Sequence, residues 1–175
     1  MTEVDLKERM EKIKLFLVDN DGVLTDGRIV FGDYGDELKF FDVQDGAALV
    51  FWHRVGLKSA IISGRQSKLV KRRAKEMRVD FVAQGKLIKL PVYEQLLKRF
   101  RLSNEQVCAI GDDLMELPIL RRAGFAVAVP GAVEEVKRAC HYVTERPGGR
   151  GAVREAVDLI LKAKGLWEQV LQRYH

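Results

Sequence analysis

Cysteine is scarce in this chain: Cys108 and Cys140 are the only two among 175 residues. They show no metal-ligand spacing and make no disulfide framework, so a reducing compartment is the simplest expectation. Cys108 sits in the apolar run Val107-Cys108-Ala109-Ile110, where a small buried thiol is the default. Long hydrophobic runs are missing as well. No stretch approaches the roughly 20 apolar residues that cross a bilayer. The charged, amphipathic segment from Thr2 to Lys14 carries no secretory apolar region. The expectation is a cytoplasmic protein without a membrane partner. Repeats, low-complexity tracts and linkers are also absent, which predicts one domain over residues 1–175 with a core of its own. The basic excess is small, 30 Lys and Arg against 25 Asp and Glu, and its densest run is Lys71-Arg72-Arg73. That run lies in a helical pattern without interleaved aromatics. It argues against nucleic acid and fits a solvated face or an anionic small substrate. His53, His141 and His175 have no clustered partners, and read as core, surface and terminus rather than metal ligands.

What the chain does have is rhythm. Short apolar runs recur at Leu15–Val18, Ser59–Ile62, Phe81–Val82, Val107–Ile110 and Ala126–Val129. Amphipathic stretches separate them near Ala47–Arg54, Lys68–Met77, Pro91–Phe100, Leu117–Ala123 and Val133–Ala139. Such alternation predicts an α/β fold, a doubly wound parallel sheet with crossover helices. One segment breaks the pattern. Arg28–Phe31, a five-residue connection at 32–36, and Glu37–Phe41 read as a β-hairpin inserted after the first strand, a lid or an assembly surface. Its apolar Ile29, Val30 and Phe31 need something to pack on, since a lone hairpin is marginal in water. Trp52 and Trp167 read as packing residues. Towards the C-terminus, the glycine-rich run from Glu145 to Gly151 precedes a helix over Ala152–Lys164. It lacks the third glycine of a dinucleotide fingerprint. It reads equally as a hinge or as a tail carrying Arg146 and Arg150 toward an anionic ligand.

The polar residues that follow the apolar runs carry the chemistry. After Leu15–Val18 come Asp19, Asn20, Asp21 and Gly22. Strand alternation would point Asp19 and Asp21 the same way. Two carboxylates there could hold a hard cation such as magnesium, or divide nucleophilic attack and proton transfer between them. An Asp-rich turn would account for the same residues without chemistry. After Ile62 come Ser63, Gly64 and Arg65, a hydroxyl, exposed N–H groups and a guanidinium suited to phosphate. After Val82 comes Lys89 at a helix start, where a cation opposes the macrodipole and calls for a compensating anion or for exposure. After Ile110 come Gly111, Asp112 and Asp113, with Glu116 placed to share a helical face with Asp112. An N-cap role would also explain Asp112. Together these groups reach successive ends of one parallel sheet, which converge on one crevice. The set suits phosphoryl transfer, with Asp19 attacking phosphorus, Asp21 moving the proton, and Ser63 and Lys89 holding the phosphoryl oxygens.

In this respect the chain resembles the haloacid dehalogenase-like phosphatases, whose four motifs match Asp19-Asn20-Asp21-Gly22, Ser63, Lys89 and Gly111-Asp112-Asp113 in order. The resemblance covers residues 14–164 and implies a Rossmann-like fold, an aspartyl-phosphate intermediate and Mg2+ held by Asp19, Asp21 and Asp112. The hairpin in place of a cap domain resembles the capless class that assembles as tetramers. Asp21–Gly27, Ile62–Arg65, Gly85–Lys89 and Gly148–Glu155 are similar to the 3-deoxy-D-manno-octulosonate 8-phosphate phosphatases, which supply lipopolysaccharide synthesis. That likeness implies substrate contacts from Asp21, from a loop of Asp42, Val43, Gln44, Asp45 and Gly46, and from Ser63, Gly64, Arg65, Arg73 and Lys89. It also implies a homotetramer whose hairpin and glycine-rich tail reach neighbouring active sites. Three positions depart from the family's pattern: Gln44 and Val50 where it often has arginine, and Glu116 where aspartate is common. Phe51-Trp52-His53 looks more like relatives acting on nine-carbon keto-sugar acid phosphates, whereas Arg65 looks like the octulosonate enzymes. The same residues would also serve a broad sugar-phosphate phosphatase, whereas intact Asp19, Asp21, Lys89 and Asp112 argue against a catalytically idle oligomeric or regulatory subunit. A receiver-type signalling domain would need its acceptor Asp at the end of the third strand, where this chain has Ser63-Gly64-Arg65.

Overall fold

The apolar run Leu15–Val18 forms β1, buried at every position in the middle of a six-stranded sheet. The computed structural model describes residues 2–174, so His175 lies outside the described residues. Ahead of β1, α1 (Glu3–Lys12) is closed by a capping box between Thr2 and Asp5. After it come the hairpin strands β2 (Val30–Phe31) and β3 (Glu37–Leu38), α2 (Val43–Arg54), β4 (Lys58–Ile62), α3 (Lys68–Glu76) and β5 (Phe81–Ala83). Then follow α4 (Leu90–Phe100), β6 (Val107–Gly111), α5 (Leu117–Leu120), β7 (Phe125–Ala128), α6 (Glu134–Ala139), β8 (Tyr142–Val143), α7 (Ala152–Ala163) and α8 (Trp167–Leu171). The sheet order is β5-β4-β1-β6-β7-β8, and all neighbours in it are parallel. This is the expected doubly wound sheet. Among the described residues, no helix is long and apolar enough to cross a membrane.

Strand order sets the location of chemistry. From β1 the chain builds outward through β4 to β5, then returns to the other side of β1 with β6. That reversal makes the C-terminal ends of β1 and β6 a topological switch point, where an open α/β sheet leaves a crevice. Register aligns the ends: Val18 pairs with Ile61 on one side and Ile110 on the other. Asn20, Ser63 and Asp112 therefore each stand two residues beyond one shared level.

The elements differ from the sequence reading mainly at their ends. β8 escapes notice because an edge strand of two residues shows no periodicity. α5 stops at Leu120 instead of Ala123, and the chain turns through Arg121–Ala123 into Gly124. The hairpin keeps its five-residue connection, but pairing is limited to Val30 with Leu38 and Phe31 with Glu37. The predicted substrate loop is also corrected. Asp42 accepts hydrogen bonds from the N–H groups of Gln44 (2.6 Å) and Asp45 (3.2 Å), so Val43–Gly46 is the first turn of α2.

Trp52, His53 and His141 serve packing. Trp52 is fully buried, edge-on to Phe16, and its Nε1 donates to the Lys58 carbonyl at 2.7 Å. His53 Nε2 lies 2.9 Å from Ser59 Oγ, and His141 Nδ1 accepts from the Ala126 N–H at 2.8 Å. Cys108 and Cys140 are free thiols, and burial raises Cys140 to about 12 and Cys108 well above its ordinary value.

Candidate active site

The turn after β1 is built from residues that permit a close approach. Asp19 and Thr25 flank a π-helical turn, Asn20–Leu24, interrupted at Asp21 and at Gly22, which takes a φ of +98°. The Thr25 hydroxyl accepts from the N–H groups of Gly22 and Gly27 and donates to the Asn20 carbonyl. The Asp112 carboxylate lies directly over the Gly22 α-carbon, where any side chain would collide with it. Behind the turn, the Gly149 N–H donates to the Val23 carbonyl at 2.8 Å, and Gly148 packs on the Gly22 carbonyl. The glycine-rich segment is thus a backing for its own chain's turn, not a free tail.

Asp19, Asp112 and Glu116 form the acidic cluster, with one carboxylate oxygen from each within 4.8 Å of the others. Lys89 is 3% exposed; its Nζ donates to Asp19 Oδ1 at 2.5 Å and to Glu116 Oε1. These two carboxylates are the anions that the lysine at the start of α4 requires. Burial, with Glu116 adding to it and Lys89 opposing it, raises Asp19 to about 7. Burial and the charges of Asp19 and Glu116 likewise raise Asp112 to about 7. Burial works against the Lys89 ammonium, but Asp19 and Glu116 outweigh it and hold its pKa above the ordinary value. One ammonium therefore faces three carboxylates, and the uncompensated charge and all-oxygen donor set fit a hard divalent cation.

The structure changes the membership of this cluster. Asp21, expected among the metal ligands, keeps its carboxylate outside this side-chain cluster, in which Glu116 stands with Asp19 and Asp112. The reason is local: β1 ends at Val18, so strand alternation no longer governs Asp21, whose carboxylate meets Asn20 Nδ2 (3.0 Å) and Lys39 Nζ (2.5 Å) instead. Glu116 reaches the cluster through a 3-10 turn over Leu114–Glu116, with its Oε2 accepting from the Asp113 N–H. Its side chain crosses the face of Gly111, which has no room for a Cβ.

Ser63 is buried just past the end of β4, at the same level of the sheet as Asp112, and a side chain at Gly64 would meet Met115 and Leu87. Arg65 is held by Glu37 of the hairpin, Nη2 to Oε1 at 2.8 Å. Arg73 reaches back to the Asp42 carbonyl at 2.9 Å and lies over Gly46, with its Nε buried and without a hydrogen-bond partner among the described residues. Val43 is exposed. The Gln44 amide oxygen accepts from Arg146 at 2.7 Å, so the glycine-rich segment brings a guanidinium to the position where the family often has one. Arg150 lines a groove of about 380 Å³ with Arg28, Phe40, Phe41 and Asp42.

Asp45 departs from its expected role as a substrate contact. It is 1% exposed, and its oxygens accept from the N–H groups of Gly151 (3.1 Å) and Arg154 (2.8 Å), capping α7. Burial raises it to about 6 despite these bonds. Replacing it leaves buried donors unpaired, at about 1–3 kcal/mol each. Asp45→Ala should therefore lower the melting temperature by several degrees in calorimetry, while KM of the folded enzyme moves less than about twofold. A large KM increase without loss of stability would return Asp45 to the substrate.

A parallel sheet with this cluster at its switch point defines a haloacid dehalogenase-like hydrolase, and the profile of that family matches residues 72–155. The chain is 42% identical over 160 residues to 3-deoxy-D-manno-octulosonate 8-phosphate phosphatase of Yersinia pestis, covering 91% of this chain and 86% of the relative. The Escherichia coli K12 protein of that name is 40% identical over 161 residues, 92% and 86% respectively. The crystal structure of the Moraxella catarrhalis phosphatase, in complex with magnesium, phosphate and KDO, superposes with a TM-score of 0.97. It is 38% identical and covers 99% of this chain and 100% of that one. The chain belongs to the 3-deoxy-D-manno-octulosonate 8-phosphate phosphatase family.

Proposed function

We propose that this phosphatase hydrolyses 3-deoxy-D-manno-octulosonate 8-phosphate, with Mg2+, through an aspartyl-phosphate intermediate. The observation that carries the reading is Asp19 at the switch point, clasped by Lys89 through Oδ1 and grouped with Asp112 and Glu116. Clasping one oxygen leaves Asp19 Oδ2 for in-line attack on phosphorus. As the Asp19 O–P bond forms and the sugar C–O–P linkage opens at phosphorus, Asp21 gives its proton to the departing alkoxide. Asp21 then takes a proton from water as that water attacks the acyl phosphate, which releases inorganic phosphate and restores Asp19. Ser63 orients a phosphoryl oxygen and Lys89 offsets charge that accumulates in the transition state. Asp19, Asp112 and Glu116 would hold the Mg2+, which neutralises phosphoryl charge when bound.

Arg65 and Arg73 supply cations for the sugar carboxylate, and Arg146 on Gln44 lessens the weight of the departure there. The hairpin exposes Ile29, Phe31, Tyr34, Leu38 and Phe40, which supports a homotetramer assembled through it. A phosphate-release panel of eight- and nine-carbon keto-sugar acid phosphates and simple sugar phosphates tests the substrate. The eight-carbon ester should lead in kcat/KM by roughly tenfold or more. A lead for the nine-carbon ester would transfer the assignment, and equal values would make this a broad phosphatase.

A further inference from the structure

The hairpin delivers a buried cation to which phosphoryl transfer itself gives no part. Lys39 follows β3, and its side chain is 1% exposed. A buried ammonium is costly unless it is paired, and a solvated hairpin has no need of one. Its Nζ donates to Asp21 Oδ1 at 2.5 Å and lies 3.5 Å from Glu37 Oε1. The same Glu37 oxygen holds Arg65. Asn20 Nδ2 also donates to Asp21 Oδ1. Both donors converge on one oxygen of Asp21, and among the described residues none reaches Oδ2.

A carboxyl group that hands a proton to a leaving oxygen needs one oxygen free to carry it, held in a fixed direction. We propose that Lys39 is a positioning residue that anchors Asp21 through Oδ1 and so reserves Oδ2 for proton transfer to the departing sugar oxygen. This rests on the reading of Asp21 as proton carrier. It gives the hairpin a part in the chemistry of its own subunit, since the pairs Lys39–Asp21 and Glu37–Arg65 tie the hairpin to the crevice.

Leaving-group dependence separates this role from simple anchoring of the hairpin. kcat/KM reports the steps through departure of the alcohol. A sugar alkoxide needs the proton, whereas p-nitrophenolate leaves without one. Lys39→Met keeps the aliphatic stem and removes the donor. It should lower kcat/KM for the keto-sugar acid phosphate about 100-fold and for p-nitrophenyl phosphate less than about threefold. Lys39→Arg should recover most of the loss. Lys39→Gln, which retains a polar donor, provides the measurement if the methionine variant does not fold. Equal losses on both esters, or no loss on either, would overturn the proposal. Asp21→Asn is measured alongside. If it shows the split and the Lys39 variants do not, the positioning role alone fails; if it shows none, the reading of Asp21 fails.

Discussion

Asp19→Asn should abolish magnesium-dependent phosphate release, a loss of about 10⁴-fold or more in kcat, worth about 5 kcal/mol of transition-state stabilisation. The variant nevertheless should fold, and its melting temperature should match or exceed that of the parent. Two observations support this pairing of outcomes. Asp19 is 7% exposed, and burial raises its pKa to about 7, so its ionised form is held at a cost to stability. A neutral amide of the same shape removes that cost and leaves Lys89 paired with Glu116. The nucleophilic oxygen is lost without the scaffold around it. Phosphate release and differential scanning calorimetry on the same preparation measure both quantities. Turnover within tenfold of the parent would mean that another group attacks phosphorus.

Asp19, Ser63, Lys89 and Asp112 were legible in the sequence because each follows an apolar run, and parallel strands gather their ends. Lys89 was legible for a second reason: a cation opening a helix requires an anion, and two are there. The Asp21 carboxylate does not share the direction of Asp19 because alternation describes a strand, and the strand stops at Val18. Glu116 was seen only as a neighbour of Asp112 on a helical face. A 3-10 turn and the bare face of Gly111 bring it into the cluster. Lys39 and Glu37 gave no signal at all, since their places depend on where a two-residue hairpin folds over the crevice. Asp45 illustrates the opposite failure. Its match to a family motif suggested substrate, yet the turn it stands in is helical, and its carboxylate holds α7 to α2. Residues whose partners are distant in sequence are recovered only when the sheet order is known.

Lys89→Met carries the other large effect, on stability as well as rate. Lys89 is the ammonium among Asp19, Asp112 and Glu116, and removing it leaves two buried carboxylates, Asp19 and Glu116, and the half-buried Asp112 facing one another. Losing one partner of a buried ion pair costs about 3–5 kcal/mol, which for a chain of this size is a fall of about 10 °C in melting temperature. The loss should depend on pH and on metal. Asp19 and Asp112 are each raised from 3.8 to about 7, so the folded protein binds more protons than the unfolded chain between those values. Stability contributed by these groups therefore falls as pH rises from about 4 through 7. Without Lys89 the carboxylates hold their protons still more strongly, and that window extends upward. Calorimetry with a chelator should show the deficit of Lys89→Met to be larger at pH 8 than at pH 5.5. Mg2+ binds only the folded cluster and stabilises it by mass action, so it should narrow the pH 8 deficit. Activity should stay at least about 100-fold down with Mg2+ restored, because in the proposed mechanism the lysine also offsets phosphoryl charge in the transition state. A deficit equal at both pH values and indifferent to Mg2+ would show that Lys89 serves α4 packing and has no part in balancing the acidic cluster.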